Sequence, residues 1–426
     1  MASLIRIKNE LKILIRKALL PVAVLAIAFM GCASQPNGDT ATLSTVTIGP
    51  PQASTATPEP SSTATPIPTA SAVSFTPALP VLAAPALVQI DFQDANNGWG
   101  IAANAHGSVL RTVDGGSTWW NATPAQTGPI GPSAALTVLD TEHAWVLVPG
   151  TDFFSGTLYR TGDGGINWNS NTVPFSGAFI QFLDASHGRA LAERGAGAGS
   201  EAVELFQTSD GGATWTSIFH DDPGLPGSSD SLPLPGIKNG MTFLDANTGW
   251  VTGSIQADGP ADGQVYLYIT RDGGVSWSKQ SLPLTTGYEN YQYIPQAPVF
   301  FGKDGILPLT ISRPEAVDLT FYTSQDGGLT WSGDPADAGR MVEPGLPAFA
   351  DGLHAWVWDG GADLYSSIDG AQTWAIANPS LNLSGNLARL EFVPGFTGWA
   401  LTRLDEAGHS QLYRTNDGVH WTPLIP

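Results

Sequence analysis

From about residue 86 onward, short runs in which apolar and polar residues alternate recur along the chain, each closed by a glycine-containing turn. Leu158-Tyr159-Arg160-Thr161 and Leu412-Tyr413-Arg414-Thr415 are two of them. A period of two bounded by turn residues predicts β-strands.

The turns themselves repeat. Asp114-Gly115-Gly116-Ser117-Thr118-Trp119 returns as Asp163 to Trp168, Asp210 to Trp215, Asp272 to Trp277 and Asp326 to Trp331. A sixth copy, Asp369 to Trp374, carries Ala371 for the second glycine, and a seventh, Asp417 to Trp421, is one residue shorter. Successive aspartates lie 49, 47, 62, 54, 43 and 48 residues apart. A second motif precedes each copy. It is clearest in Phe92-Gln93-Asp94-Ala95-Asn96-Asn97-Gly98-Trp99 and Phe243 to Trp250, and most worn at Lys303-Asp304-Gly305. Each unit therefore reads as four short strands, A to D, with the second motif at the A–B turn and the Asp-Gly-Gly turn between C and D.

Seven such units predict an all-β chain, a seven-bladed β-propeller of four-stranded antiparallel blades over residues 86–426. The residue types suit the geometry. Glycine takes the positive φ that a tight turn needs, and an aspartate can accept N–H groups of its own turn. The indole fills the gap between neighbouring sheets. The seven aspartates and the seven tryptophans (Trp119, Trp168, Trp215, Trp277, Trp331, Trp374 and Trp421) are thus expected to be structural.

The repeat resembles the BNR or Asp-box repeat of sialidases, some glycoside hydrolases, sortilin-type receptors and the photosystem II assembly/stability factors. Its coupling to the second motif in each unit most resembles the last of these. That resemblance spans essentially residues 86–426. It implies a non-catalytic docking platform for membrane-protein assembly, with no cofactor.

Charge and the N-terminal region add a location. The formal net charge is −20, and beyond residue 31 only 13 basic residues face 37 acidic ones. Such a surface repels polyanions, which excludes nucleic acid as a partner. Arg6, Lys8, Lys12, Arg16 and Lys17 lead into the apolar run Ala18–Met30, then Gly31-Cys32. That order predicts a signal peptide over 1–31, too short in its apolar part to span a bilayer. The Gly-Cys end resembles a bacterial lipoprotein signal, which implies lipidation of Cys32 and an envelope location reached through that lipid alone. From Ala33 to Pro80, 26 of 48 residues are Ser, Thr or Pro, which predicts a disordered tether over 32–85. The expected molecule is a monomer that binds another envelope or membrane protein, or alternatively a glycan.

Strand alternation places the A–B and Asp-Gly-Gly turns on one rim, and the B–C and D–A loops on the other. The second face carries the unrepeated sequence and is the expected binding face. Its candidate contacts are Tyr288, Glu289, Tyr291 and Tyr293, with Phe153, Phe154, Arg313 and Glu315 in neighbouring loops. His143, His187 and His354 occupy one repeated turn position and read as polar turn residues, so no metal site is expected. The sequence is expected not to be an enzyme. The alternatives are a sialidase, needing convergent arginines among Arg194, Arg313, Arg340 and Arg403, and a two-carboxylate glycosidase.

Overall fold

The computed structural model describes residues 79–103, 107–125, 130–131, 133–152, 154–255, 265–284, 291–313, 316–333, 339–341, 345–383 and 385–424. The expected signal peptide, Cys32 and most of the expected tether lie outside the described residues, as do Tyr288, Glu289, Phe153 and Glu315.

Seven antiparallel sheets follow one another along the chain, at 87–121, 135–173, 178–220, 237–279, 292–341, 348–376 and 387–424. Six have four strands in the order A-B-C-D; in the fifth, strand A is split into Gln292–Pro295 and Val299–Phe301, both paired with Asp304–Arg313. The A strands of blades 2 and 3, 3 and 4, and 6 and 7 meet, and strand A of blade 7 meets that of blade 1. The fold is a seven-bladed propeller with no helix among the described residues.

Each Asp-Gly turn is built from a hydroxyl two residues before the aspartate. Thr112 Oγ1 donates to Asp114 Oδ1 at 2.9 Å and accepts the Gly116 N–H at 2.9 Å, while Asp114 Oδ1 accepts the Thr118 N–H at 2.8 Å. Thr161, Thr208, Thr270, Ser324, Ser367 and Thr415 donate in the same way to Asp163, Asp210, Asp272, Asp326, Asp369 and Asp417. The two glycines hold positive φ, 73° at Gly115 and 92° at Gly116, and Ala371 follows them at 66°. The first glycine's N–H then ties the turn to the A–B turn of its own blade, as from Gly115 to Asn96 O at 2.8 Å. Blade 5 keeps this bond from Gly327 to Lys303 O at 2.9 Å, although its A–B motif is worn in sequence.

The second motif joins the blades. Trp145 of strand B in blade 2 lies flat on Phe182 of strand A in blade 3, ring centroids 3.6 Å apart, and its Nε1–H donates to Gly211 O at 2.8 Å. Trp356 stacks on Phe392 at 3.7 Å in the same way. Five blades have tryptophan here; blade 5 has Ile306 and blade 3 has Arg189. Its guanidinium covers the Phe243 ring at 5.3 Å, and its Nε–H reaches Gly273 O at 3.2 Å. A planar cation with an N–H edge thus replaces the indole in both duties.

Ring closure uses that same joint. Blades 1 and 7 are each complete from their own segment, so among the described residues no strand is exchanged. Trp399 stacks on Phe92 at 3.6 Å and donates to Gly115 O at 2.9 Å, and Arg414 Nη2 donates to Ala95 O at 3.0 Å. The described residues before blade 1 add no closing strand to blade 7. Val81 bridges Trp120 on the outer edge of blade 1, with Asn121 N–H to Pro80 O at 2.7 Å. Pro80–Leu82 thus runs along the outer edge of blade 1.

Two of the expected face loops are strand. Gly188–Gly197 pairs with Ser200–Thr208 as far as a tight hairpin, and Asp304–Arg313 pairs with Ala316–Ser324 along its whole length. These strands have nine or ten residues, against five in the B and C strands of blade 1. The extra four residues carry them about 13 Å further at 3.3 Å per residue.

Candidate functional site

Register places one residue per blade at the same height on the innermost strands. Strand-B partners fix the equivalence: Asp91 opposite Trp99, Thr137 opposite Trp145, Gln181 opposite Arg189, Thr242 opposite Trp250. Val299 opposite Ile306, Ala348 opposite Trp356 and Glu391 opposite Trp399 complete the ring. Five of these seven are neutral. The two carboxylates, Asp91 and Glu391, fall on adjacent blades, at the seam where the ring closes.

They line a cavity of ≈ 470 Å³ at the centre of the propeller. Arg389, two residues before Glu391, lines it as well, together with Asn239, Gln296 and apolar groups such as Phe179 and Leu346. Glu391 accepts on both oxygens, Arg389 Nε–H on Oε1 at 2.9 Å and the Phe92 N–H on Oε2 at 3.1 Å. Asp91 accepts from the side-chain amide of Gln93 on Oδ1. Burial raises the Asp91 carboxyl to about 6, against the pull of Arg389 and Gln93. It raises Glu391 to about 7, opposed by Arg389 and reinforced by the nearby Asp91. Interacting carboxyls of this kind titrate as a pair. Near neutral pH the pair holds both a proton to give and a negative charge. Glu391 accepts N–H groups on both oxygens and Asp91 on one, and the proton belongs to the pair rather than to either carboxyl.

Stapling the seam does not by itself require that charge. In blade 3 the equivalent Gln181 makes the same cross-blade contact with a neutral amide, accepting the Phe243 N–H at 2.6 Å and donating to Phe243 O at 2.9 Å. Comparison of the seven A strands at the position before the aromatic residue is the sequence signal that finds Asp91 and Glu391. The short, uneven A–B motif hides that register in a linear reading.

The candidates read from sequence fall elsewhere. Tyr293, expected at the binding face, is 1% exposed, within strand A of blade 5 and the core between blades 4 and 5, because its ring packs among residues such as Leu309 and Tyr322. Tyr291 packs half-buried against the same cluster. Phe154 is 60% exposed beside Asp152, whose carboxylate caps its turn. Arg313 is bonded to Asp318 of its own hairpin, and Arg194 to Glu204 of its own at 2.7 Å and to Pro174 O at 2.7 Å. Both guanidiniums are thus engaged on separate blades, away from the central cavity. His143, His187 and His354 each bond through Nδ1 to the aspartate of their own turn, at 2.9 to 3.0 Å.

No protein-family model matches the chain. A xyloglucanase from a Paenibacillus species is 27% identical over 254 residues, 53% of this chain and 23% of that protein. The xyloglucanase Xgh74A of Acetivibrio thermocellus is 25% identical over 252 residues, 53% of this chain and 28% of that protein. The chain thus matches under a third of the length of these curated relatives. The solved structure of YCF48 from Cyanidioschyzon merolae shares the fold, with 20% identity and a TM-score of 0.50 over 76% of this chain and 94% of that one. Two relatives named for an enzymatic activity overturn the expectation that the chain is not an enzyme. The physical counterpart is the pair of carboxyls in the central cavity, which the repeat does not require.

Proposed function

We infer that this chain is a carbohydrate-active propeller that cleaves a polysaccharide with Asp91 and Glu391 in its central cavity. One observation carries the reading: two adjacent carboxyls, both titrating near neutrality, in a cavity lined by amides and aromatic rings. Glycoside hydrolysis needs one carboxyl to protonate the leaving oxygen and a second, ionised one to stabilise or attack the anomeric carbon. Near neutral pH the Asp91–Glu391 pair supplies both, one proton and one negative charge. The relatives named xyloglucanases support a polysaccharide as substrate. The N-terminal residues support a place outside the cytoplasmic membrane, lipidated at Cys32 and held off the surface by the tether.

Incubation of the protein with a panel of neutral and acidic cell-wall polysaccharides, read as new reducing ends, tests this. Release from at least one, fastest between pH 6 and 7, is expected; no release from any overturns it.

A docking role at the envelope is the second reading, supported by the two long hairpins of blades 3 and 5. Shortening both to the length of their neighbours would abolish crosslinking to an envelope protein and leave reducing-end release unchanged.

A further inference from the structure

Arg389 is the one cation among the described residues lining the central cavity. Its side chain is 48% exposed, and the hydrogen bond it makes there is through Nε to Glu391 Oε1, which leaves the terminal fork of the guanidinium to the cavity. The repeat does not ask for an arginine at this height. Register makes Gln89, Phe179 and Gly240 its counterparts in blades 1, 3 and 4. Gln89 meets a structural need there, accepting the Leu136 N–H of the next blade at 3.2 Å; Arg389 makes no such cross-blade bond.

Neutralising Glu391 is the other duty an arginine could have. The Nε bond meets it at Glu391 and the charge also acts on Asp91 without a hydrogen bond to it among the described residues, while blade 3 staples its seam with Gln181 and no cation at all. A planar fork of two N–H pairs matches a carboxylate bidentately, where a lysine or an amide does not. On a chain of net charge −20, a single cation beside the reacting carboxyls is a local exception to the field around it.

We propose that Arg389 is a specificity-determining residue that selects a uronic acid, binding the sugar carboxylate beside the bond cleaved. This rests on the reading of the cavity as a carbohydrate site. It goes beyond that reading by naming an acidic sugar rather than a neutral one.

Calorimetric titration of the full chain with trigalacturonate and with its fully methyl-esterified form separates charge from shape. At 0.15 M salt, where charges more than about 8 Å apart are screened, the free acid should bind at least tenfold more tightly. In Arg389→Gln the ratio between the two probes should fall to near one, and in Arg389→Lys it should be recovered in part. Equal affinities in the wild type, binding of neither probe, or a preference that survives Arg389→Gln would each overturn the assignment. The two readings fail separately. Cleavage of a neutral polysaccharide without preference for the acid removes the selectivity and keeps the hydrolase. Preference for the acid with no cleavage of any polysaccharide does the reverse.

Discussion

Glu391 of blade 7 accepts the backbone N–H of Phe92 of blade 1 at 3.1 Å, across the seam at which the propeller closes. One carboxylate thereby takes part in holding the ring and in lining its central cavity. Asp91 lies next to Phe92 in the chain, so seam and cavity titrate together.

That coupling gives stability a pH dependence. Both carboxyls have folded values raised above their ordinary ones, Asp91 to about 6 and Glu391 to about 7. A raised acid stabilises the fold fully below its unfolded value, and the contribution is lost as pH rises through the folded one. The turn aspartates, lowered by their hydrogen bonds, have given their full stabilisation by about pH 5, so the melting temperature should fall between about pH 5 and pH 8. In Glu391→Gln the fall should be shallower and the melting temperature at pH 8 higher than in the wild type. A wild-type melting temperature that rises over this range would contradict it.

The aromatic stack beside that bond is the larger structural contribution. Phe92 and Trp399 lie face to face at 3.6 Å with both rings buried. Trp399→Ala removes the stack and the bond to Gly115 O, and a buried aromatic deletion costs about 3–5 kcal/mol. Denaturant unfolding should show a loss of that size, and Trp145→Ala a similar one, since its stack on Phe182 has the same geometry. A much smaller loss at Trp399 would mean that closure depends on other contacts.

The hydroxyl before each turn aspartate is a separate prediction. Thr270 donates to Asp272 Oδ1 at 2.8 Å and accepts the Gly274 N–H at 2.8 Å. Thr270→Val keeps the shape but leaves a buried N–H without its acceptor, at a cost of about 1–3 kcal/mol. Urea unfolding of the variant should show it.

Gly274 should tolerate no side chain. Its φ is +103°, and a Cβ would stand 2.2 Å from Leu205 Cδ2 of the preceding blade. Gly274→Ala should lower stability by more than the roughly 1 kcal/mol usual for a left-handed residue, whereas Gly302→Ala, with open space around it, should lose little beyond that.

The fold was legible because each blade repeats the residues that make its turns and joints. Asp, Gly and Trp at a recurrent spacing imply the geometry found at Asp114–Trp119 with no knowledge of what packs on it. The exception at Arg189 is local, one flat side chain exchanged for another, and so is Ile306 in blade 5. The cavity was not legible in that way. Asp91 and Glu391 are 300 residues apart in sequence and meet because the ring closes on itself. Tyr293 was misplaced for the converse reason: a tyrosine-rich stretch reads as a contact surface until the split strand A of blade 5 turns that ring into the core. The long hairpin of blade 3 is not legible as strand because Ala190–Glu204 is rich in glycine and charge, residues that a two-stranded projection tolerates on its solvent faces.

The most direct test is the rate of reducing-end release by the wild type and by Glu391→Gln, side by side on the polysaccharide that the wild type cleaves best. The glutamine keeps an acceptor for the Phe92 N–H, as Gln181 does for Phe243, so the ring should stay closed and the fold intact. Glu391→Gln should lose at least about a thousandfold in rate, of the size that removal of an essential catalytic group produces, at an undiminished melting temperature. Equal rates in the two proteins would contradict it.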